Sequence, residues 1–288
     1  MSFWDKLLGK RGSKREPTLP ERATAPQPSQ KADPLEIGQG THIGRTREAN
    51  EDTFLTLKSV IGDEADPLAV ALLIVADGMG GHMKGQEASS LAIRVAGEVI
   101  VREALLPVLS RRASEIAIRP IHEILTEAAV SANQAVGEME SDAGTTLTCA
   151  LVLGHSAYVA HVGDTRVYYL DDDGLQQITQ DHSLVNRLTE LGQISAQEAQ
   201  HHPQRNFLYR ALGQGHDLKV DTYSRRLETG SHLILCSDGL WSAVSDEEIV
   251  DVIGISCCPQ EACNELIARA NDHGGEDNIT MILAKINY

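Results

Sequence analysis

Apolar residues along the chain gather mainly in short runs bounded by Gly, Asp and Asn, with two longer stretches of helical periodicity between them. The densest run, Leu72–Ala76, predicts a buried strand that stops at Asp77-Gly78 and opens into a loop containing Gly80, Gly81 and Gly85. From Glu87 onward Ala88, Leu91, Ala92 and Val95 share one helical face. Upstream, strands are predicted at Ile37–Ile43 and Phe54–Leu57, with Gly62–Pro67 as the hairpin loop leading into the central strand. Helices are expected over about 86–112 and 119–137. The runs GTTLTCALVLG, SAYVAHVGD and TRVYYLDDDGLQQIT predict short strands joined by tight turns, Asp171–Asp173 before Gly174 being one of the turns. Residues 181–212 are polar with short helical pieces. A strand at Leu233–Ser237, helices near 246–253 and 260–272, and a last strand in GGEDNITMILAKI complete the pattern. Hairpin-linked strands in blocks with helices grouped apart predict an α+β fold built on antiparallel sheets.

Two segments depart from this pattern. Residues 1–16 carry five bases against two acids, with Phe3, Trp4, Leu7 and Leu8 on one face of a short helix. Residues 17–34, rich in Pro, Ala, Gln and Ser, read as a disordered linker, so residues 35–288 form the predicted folded domain. The formal net charge of −16 argues against a nucleic-acid-binding surface and asks where the carboxylates sit. Five cysteines (149, 236, 257, 258 and 263) lack zinc spacing and predict reduced thiols in a cytosolic compartment. No apolar run has membrane-spanning length and no signal-peptide core is present.

The acids concentrate at predicted strand ends. Asn50-Glu51-Asp52, Asp77-Gly78, Gly163-Asp164, Ser237-Asp238-Gly239 and Asp277-Asn278 all fall in predicted loops. Four of these aspartates adjoin Gly or Asn, which tolerate kinked backbone and close approach. Taken singly, each Asp reads equally well as a turn former. Jointly, loops on one sheet edge can converge, and carboxylate ligation suits Mg²⁺ or Mn²⁺ rather than a soft-ligand metal.

Seven segments then carry a resemblance. TREANEDTF, VADGMGGH, GTTL, HVGDTRVYYL, QDHSL, SDGLW and EDNITMI resemble, in the same order, motifs of the metal-dependent serine/threonine protein phosphatases of the PPM, or type 2C, family, the bacterial branch in particular. The resemblance spans about residues 37–287. It implies a two-layer antiparallel β-sandwich flanked by helix pairs, with two metal ions at one end. By position, Asp77 would bridge the ions, the Gly78 carbonyl would ligate the first, and Asp238 and Asp277 would complete the second. Glu51 and Asp52 would be close or water-mediated ligands, and Asp164 with Asp238 would hold a third ion. Arg47 matches the family arginine that grips the substrate phosphate, a task suited to a guanidinium fork.

The implied reaction is hydrolysis of phosphoserine and phosphothreonine in proteins by a metal-activated water that attacks phosphorus in line. Some relatives carry a histidine directly after the Asp-Gly pair, where this chain has Met79, so His82 becomes the candidate general acid. His161 reads as a packed strand histidine and His182 as a support for residues 181–212, which correspond to a flap that meets the phosphoprotein. Two alternatives stay open: a pseudophosphatase-like binding module on the same fold, and a metal-dependent hydrolase of small phosphate esters. The implied partners are phosphoproteins of an opposing serine/threonine kinase. A cytoplasmic location is expected, with residues 1–16 as a weak tether to the inner membrane face or to a partner.

Overall fold

A computed structural model describes residues 33–62, 67–80, 83–109, 119–139, 143–200, 202–215 and 217–288. The basic N-terminal segment and most of its linker lie outside the described residues, as does His82.

The polypeptide enters through β1 (Leu35–His42) and a hairpin of β2 (Asp52–Ile61) and β3 (Leu68–Met79). Helix α1 (Met83–Ile100) continues through a π-helical turn at Val101–Leu105 into the short α2 (Leu106–Leu109); α3 (Ile121–Gly137) follows. Next come β4 (Gly144–Thr145), β5 (Leu147–Leu153), β6 (Ser156–Val162), β7 (Arg166–Asp171) and β8 (Gly174–Gln177). Short helices α4 (Leu184–Glu190) and α5 (Ala196–Gln200) precede β9 (Asp221–Arg226) and β10 (His232–Cys236). The chain closes with α6 (Asp238–Trp241), α7 (Asp246–Ile255), α8 (Pro259–Asp272) and β11 (Ile279–Ile286).

Two antiparallel sheets result, ordered β1-β11-β10-β7-β8 and β2-β3-β5-β6-β9, with β4 paired to β3. Side chains alternate across a strand, so each central strand feeds two cores. The inward face of β3 (Ala71, Leu73, Val75) meets Val159, Leu235 and Ile282 between the sheets. Its outward face (Leu72, Ile74, Ala76) packs beneath α1 and α3. Ile234, Cys236 and Leu283 of the other sheet pack likewise beneath α7 and α8. Burial on both faces explains why the central run is continuously apolar instead of alternating.

The structure corrects several boundaries. The central strand does not stop at Ala76: it runs through Asp77 and Gly78 to Met79, because Asp77 pairs with Asp52 across the β2 ladder and Gly78 pairs with Thr145. β2 likewise extends to Ile61, beyond the predicted Leu57, as an edge strand whose outer positions face solvent. The helix expected over 86–112 is divided at residue 101, and residues 110–118 lie outside the described set.

Candidate metal centre

One end of the sandwich gathers the acidic motifs. Asp52 opens β2 directly across from Asp77 in β3. Asp164 occupies the turn between β6 and β7, Asp238 is the first residue of α6, and Asp277 precedes β11. Two of the five aspartates therefore lie in paired strands and one opens a helical turn; the expectation that all occupy loops is corrected.

Backbone and small side chains draw these acids together. Asp77 is fixed on both sides of its peptide: its N–H donates to Thr146 Oγ1 at 2.9 Å, and its carbonyl accepts from the Thr146 N–H at 2.8 Å. The Gly78 N–H donates to the Glu51 carbonyl, which also accepts from Ser89 Oγ at 2.7 Å. A Cβ on Gly78 would strike the Gly85 carbonyl oxygen, and one on Gly239 would strike the Asn278 carbonyl oxygen. Both positions therefore require glycine for close approach of backbone to backbone. Asn278 organises the opposite side: its Oδ1 accepts from the Glu51 N–H at 2.7 Å, while its Nδ2 donates to the carbonyls of Ile43 and Ala49. Ser237 Oγ donates to Asp52 Oδ2 at 2.7 Å.

The electrostatics of this cluster are unfavourable for protein alone. Burial first, then repulsion from Asp52, Asp238 and Asp164, raises the Asp77 carboxyl well above the usual range. Burial pushes Asp52 up to about 8 against the hydrogen bonds from Ser237 and Thr280, and pushes Asp238 up to about 6 with Asp277 adding to it. Burial and the neighbouring Asp238 raise Asp164 as well. A carboxyl held in its protonated form by like-charged neighbours ionises when a cation offsets them. Among the described residues, Asp52 Oδ1 and Asp238 Oδ1 are buried with no hydrogen-bond partner, which is costly unless something else satisfies them. The donor set is all oxygen, as Mg²⁺ and Mn²⁺ prefer. Among the described residues, no group of three or more His, Cys, Asp or Glu side chains is arranged, as the side chains stand, so that it could hold a metal ion. The carboxylates are nonetheless near enough that Asp52, Asp238, Asp164 and Asp277 all repel the charge of Asp77.

Arg47 reaches the same pole. Its Nη2 donates to Asp277 Oδ2 at 2.5 Å, and about half of its side chain stays exposed. Thr46 Oγ1 and the Arg45 N–H tie its loop to the carbonyls of Glu276 and Gly275.

The protein phosphatase 2C family model matches residues 40–270 of this chain. The chain belongs to the protein phosphatase 2C family. Among curated relatives, the serine/threonine phosphatase stp of Listeria innocua is 36% identical over 248 residues, which covers 86% of this chain and 94% of that one. The crystal structure of the Mycobacterium tuberculosis serine/threonine phosphatase PstP superposes with a TM-score of 0.72 at 34% identity, covering 88% of this chain and 99% of that chain. The PstP catalytic domain in complex with two manganese ions matches at 33% identity and a TM-score of 0.69, covering 88% of this chain and 99% of that one.

In this protein phosphatase 2C chain, Glu51, Asp52, Asp77, Gly78, Asp164, Asp238, Asp277 and Arg47 all come to one pole. Of the candidate catalytic and metal-ligating residues singled out in the sequence, only His82 lies outside the described residues. What the sequence reading missed is the second layer: Thr146 behind Asp77, Ser237 behind Asp52, and Asn278 behind Glu51. Their signal lies in GTTL, SDGLW and EDNITMI, where the motif alone assigns no role to the hydroxyl or amide. Buried His161 is a packed strand residue, as expected: its Nε2 donates to the Gln180 carbonyl at 3.1 Å, so its Nδ1 accepts from Thr148 Oγ1 at 2.8 Å.

Proposed function

We propose that this pole hydrolyses phosphoserine and phosphothreonine in proteins, with Asp77, Asp238, Asp277 and the Gly78 carbonyl holding two Mn²⁺ or Mg²⁺ ions. Glu51 and Asp52 are assigned as close or water-mediated supports, and Asp164 with Asp238 as the site of a third ion. The observation that carries the reading is the pair of buried carboxylate oxygens without partners in a cluster whose charges repel. When bound, such ions supply Lewis acidity and make a coordinated water nucleophilic near neutral pH.

The chain's own residues do the rest. Arg47 bonds Asp277 through one nitrogen and keeps the remaining donors of its fork for phosphoryl oxygens. Asn278 and Thr146 hold the backbones of Glu51 and Asp77, so the carboxylates need no rearrangement when charge develops on phosphorus. His82 is assigned as the proton donor to the leaving alkoxide, from a position outside the described residues. Cys149 and Cys236 are unsuited as nucleophiles, since burial pushes their thiols up to about 12 within the core. Phosphoproteins of an opposing kinase are the assigned substrates. Among the described residues no helix is long and apolar enough to cross a membrane. A cytoplasmic location with residues 1–16 as a weak tether agrees with the basic character of that segment beside an acidic remainder.

The deciding experiment is dephosphorylation of a phosphothreonine peptide before and after exhaustive chelation, beside a panel of metabolite phosphates. Turnover of the peptide that disappears with chelator and returns with Mn²⁺ is expected. Undiminished activity in chelator, or activity confined to small esters, overturns the assignment.

A further inference from the structure

A histidine that no step of the proposed reaction uses joins the Gly163-Asp164 turn to the segment after residue 180. His182 is buried. Its backbone N–H donates to the Gly163 carbonyl at 2.7 Å, and the Gly163 N–H donates back to its Nδ1 at 3.0 Å. A lone pair must face that N–H, so the ring proton sits on Nε2, 3.2 Å from Asp221 Oδ2. Arg210 Nη1 lies 2.8 Å from the same Nε2 and 3.0 Å from Asp221 Oδ1. Two donors do not bond one another, so the guanidinium is held by the carboxylate.

Three parts of the chain therefore meet at one ring: the Asp164 turn, the first residue of β9, and both ends of the 183–208 segment. That segment is closed at its base by the Ser183–Leu208 bridge, the Leu184 N–H to the Phe207 carbonyl, and the Tyr209 N–H to the His182 carbonyl. The turn itself has little room to relax. Gly163 has a φ of +114°, and a Cβ there would lie 2.5 Å from Thr146 Cγ2, on the residue that holds Asp77. From the other side, Trp241 Nε1 donates to the Asp164 carbonyl at 3.0 Å.

We propose that His182 is a positioning residue: its Nδ1 orients the Gly163-Asp164 turn and so holds the Asp164 carboxylate at the metal pole, while Nε2–H braces the ring against Asp221. The proposal rests on the assignment of Asp164 as an ion ligand. Supporting groups that orient a ligand commonly set metal affinity without touching the ion.

Two substitutions separate the ring's two bonds. His182→Asn puts an amide oxygen near the position of Nδ1, keeping the acceptor for Gly163 but not reaching Asp221. His182→Gln puts an amide nitrogen near Nε2, keeping the donor to Asp221 but leaving Gly163 without its acceptor. Mn²⁺ titration of the full chain by electron paramagnetic resonance, with wild type, both variants and Asp164→Asn, reads the outcome, and thermal melts confirm that each is folded. His182→Gln is expected to weaken the weakest Mn²⁺ site about 10-fold or more, whereas His182→Asn stays within about threefold of wild type. The proposal is overturned if His182→Gln titrates like wild type while Asp164→Asn loses a site. It is also overturned if the two His182 variants weaken binding equally, since that marks a packing role. Should Asp164→Asn itself bind Mn²⁺ like wild type, the assignment of Asp164 fails and this proposal with it.

Discussion

The carboxylates of the metal pole and the carboxylate of Asp181 lie within one end of the molecule, yet their surroundings differ. Asp52 and Asp238 each keep a buried oxygen with no partner among the described residues. Asp181, as buried as Asp52, spends both oxygens: Arg166 grips them through Nε and Nη2, and Gln177 Nε2 adds a third donor at 3.0 Å. The Arg166 guanidinium in turn lies 3.6 Å above the Trp241 ring, whose N–H holds the Asp164 carbonyl. Burial alone thus does not mark a reactive group. A buried acid with its bonds filled is scaffold, and one with bonds unfilled and neighbours repelling it is a place for a cation.

The sharpest way to break this comparison is Asp238→Asn. It keeps shape and removes ligand charge, so turnover on an aryl phosphate should fall by roughly 10³-fold, equivalent to about 4 kcal/mol of transition-state stabilisation. Steady-state kinetics on protein with an unchanged circular dichroism spectrum measures it; near wild-type turnover would place Asp238 among the scaffold acids. Asp181→Asn should do the reverse. Half-emptying the clasp on Arg166 should cost about 3 kcal/mol of stability in urea titrations, while the Mn²⁺ stoichiometry holds. A change in stoichiometry without loss of stability would erase the distinction between the two acids.

Arg47→Ala tests the boundary between the classes, since its guanidinium bonds a pole carboxylate yet remains half exposed. Losing one charge-assisted phosphate contact should lower kcat/KM by about 10–100-fold on peptide and aryl phosphate alike. Normal kinetics on both would assign it to the surface. The smallest effect is expected far from the pole. Burial, with Lys285 adding to it, lowers the His232 imidazole to about 4. Between its ordinary value near 6.5 and about 4 the unfolded chain binds a proton that the folded one rejects, so stability declines as pH falls through that window. His161, lowered to about 3, acts in the same direction. His232→Gln should therefore lose less melting temperature than wild type between pH 7 and pH 5. Parallel losses would show that His232 does not titrate across folding.

The legibility of the chain follows the range of the interactions. The α+β class, the central apolar strand and the helix pairs were readable because periodicity is local and burial on two faces leaves an unbroken apolar run. The pole carboxylates were readable as motifs. The end of β3 was misread because Asp77-Gly78 has the chemistry of a turn, and only the partners Asp52 and Thr145 keep it extended. Ser237 was invisible as a support because its partner Asp52 lies 185 positions away. A hydroxyl at a strand end looks the same in sequence whether it meets water or a buried carboxylate.

The glycines of the pole carry a consequence for how this protein can change. Gly78 and Gly239 are walled in by backbone carbonyls, so even the addition of one methyl group there has nowhere to go. Gly254, late in α7, faces open space at an ordinary helical conformation. In a saturation library the first two positions should be depleted of every alternative residue while the third accepts many. Substitution in this scaffold is therefore closed at the floor that carries the acids and open where α7 faces solvent.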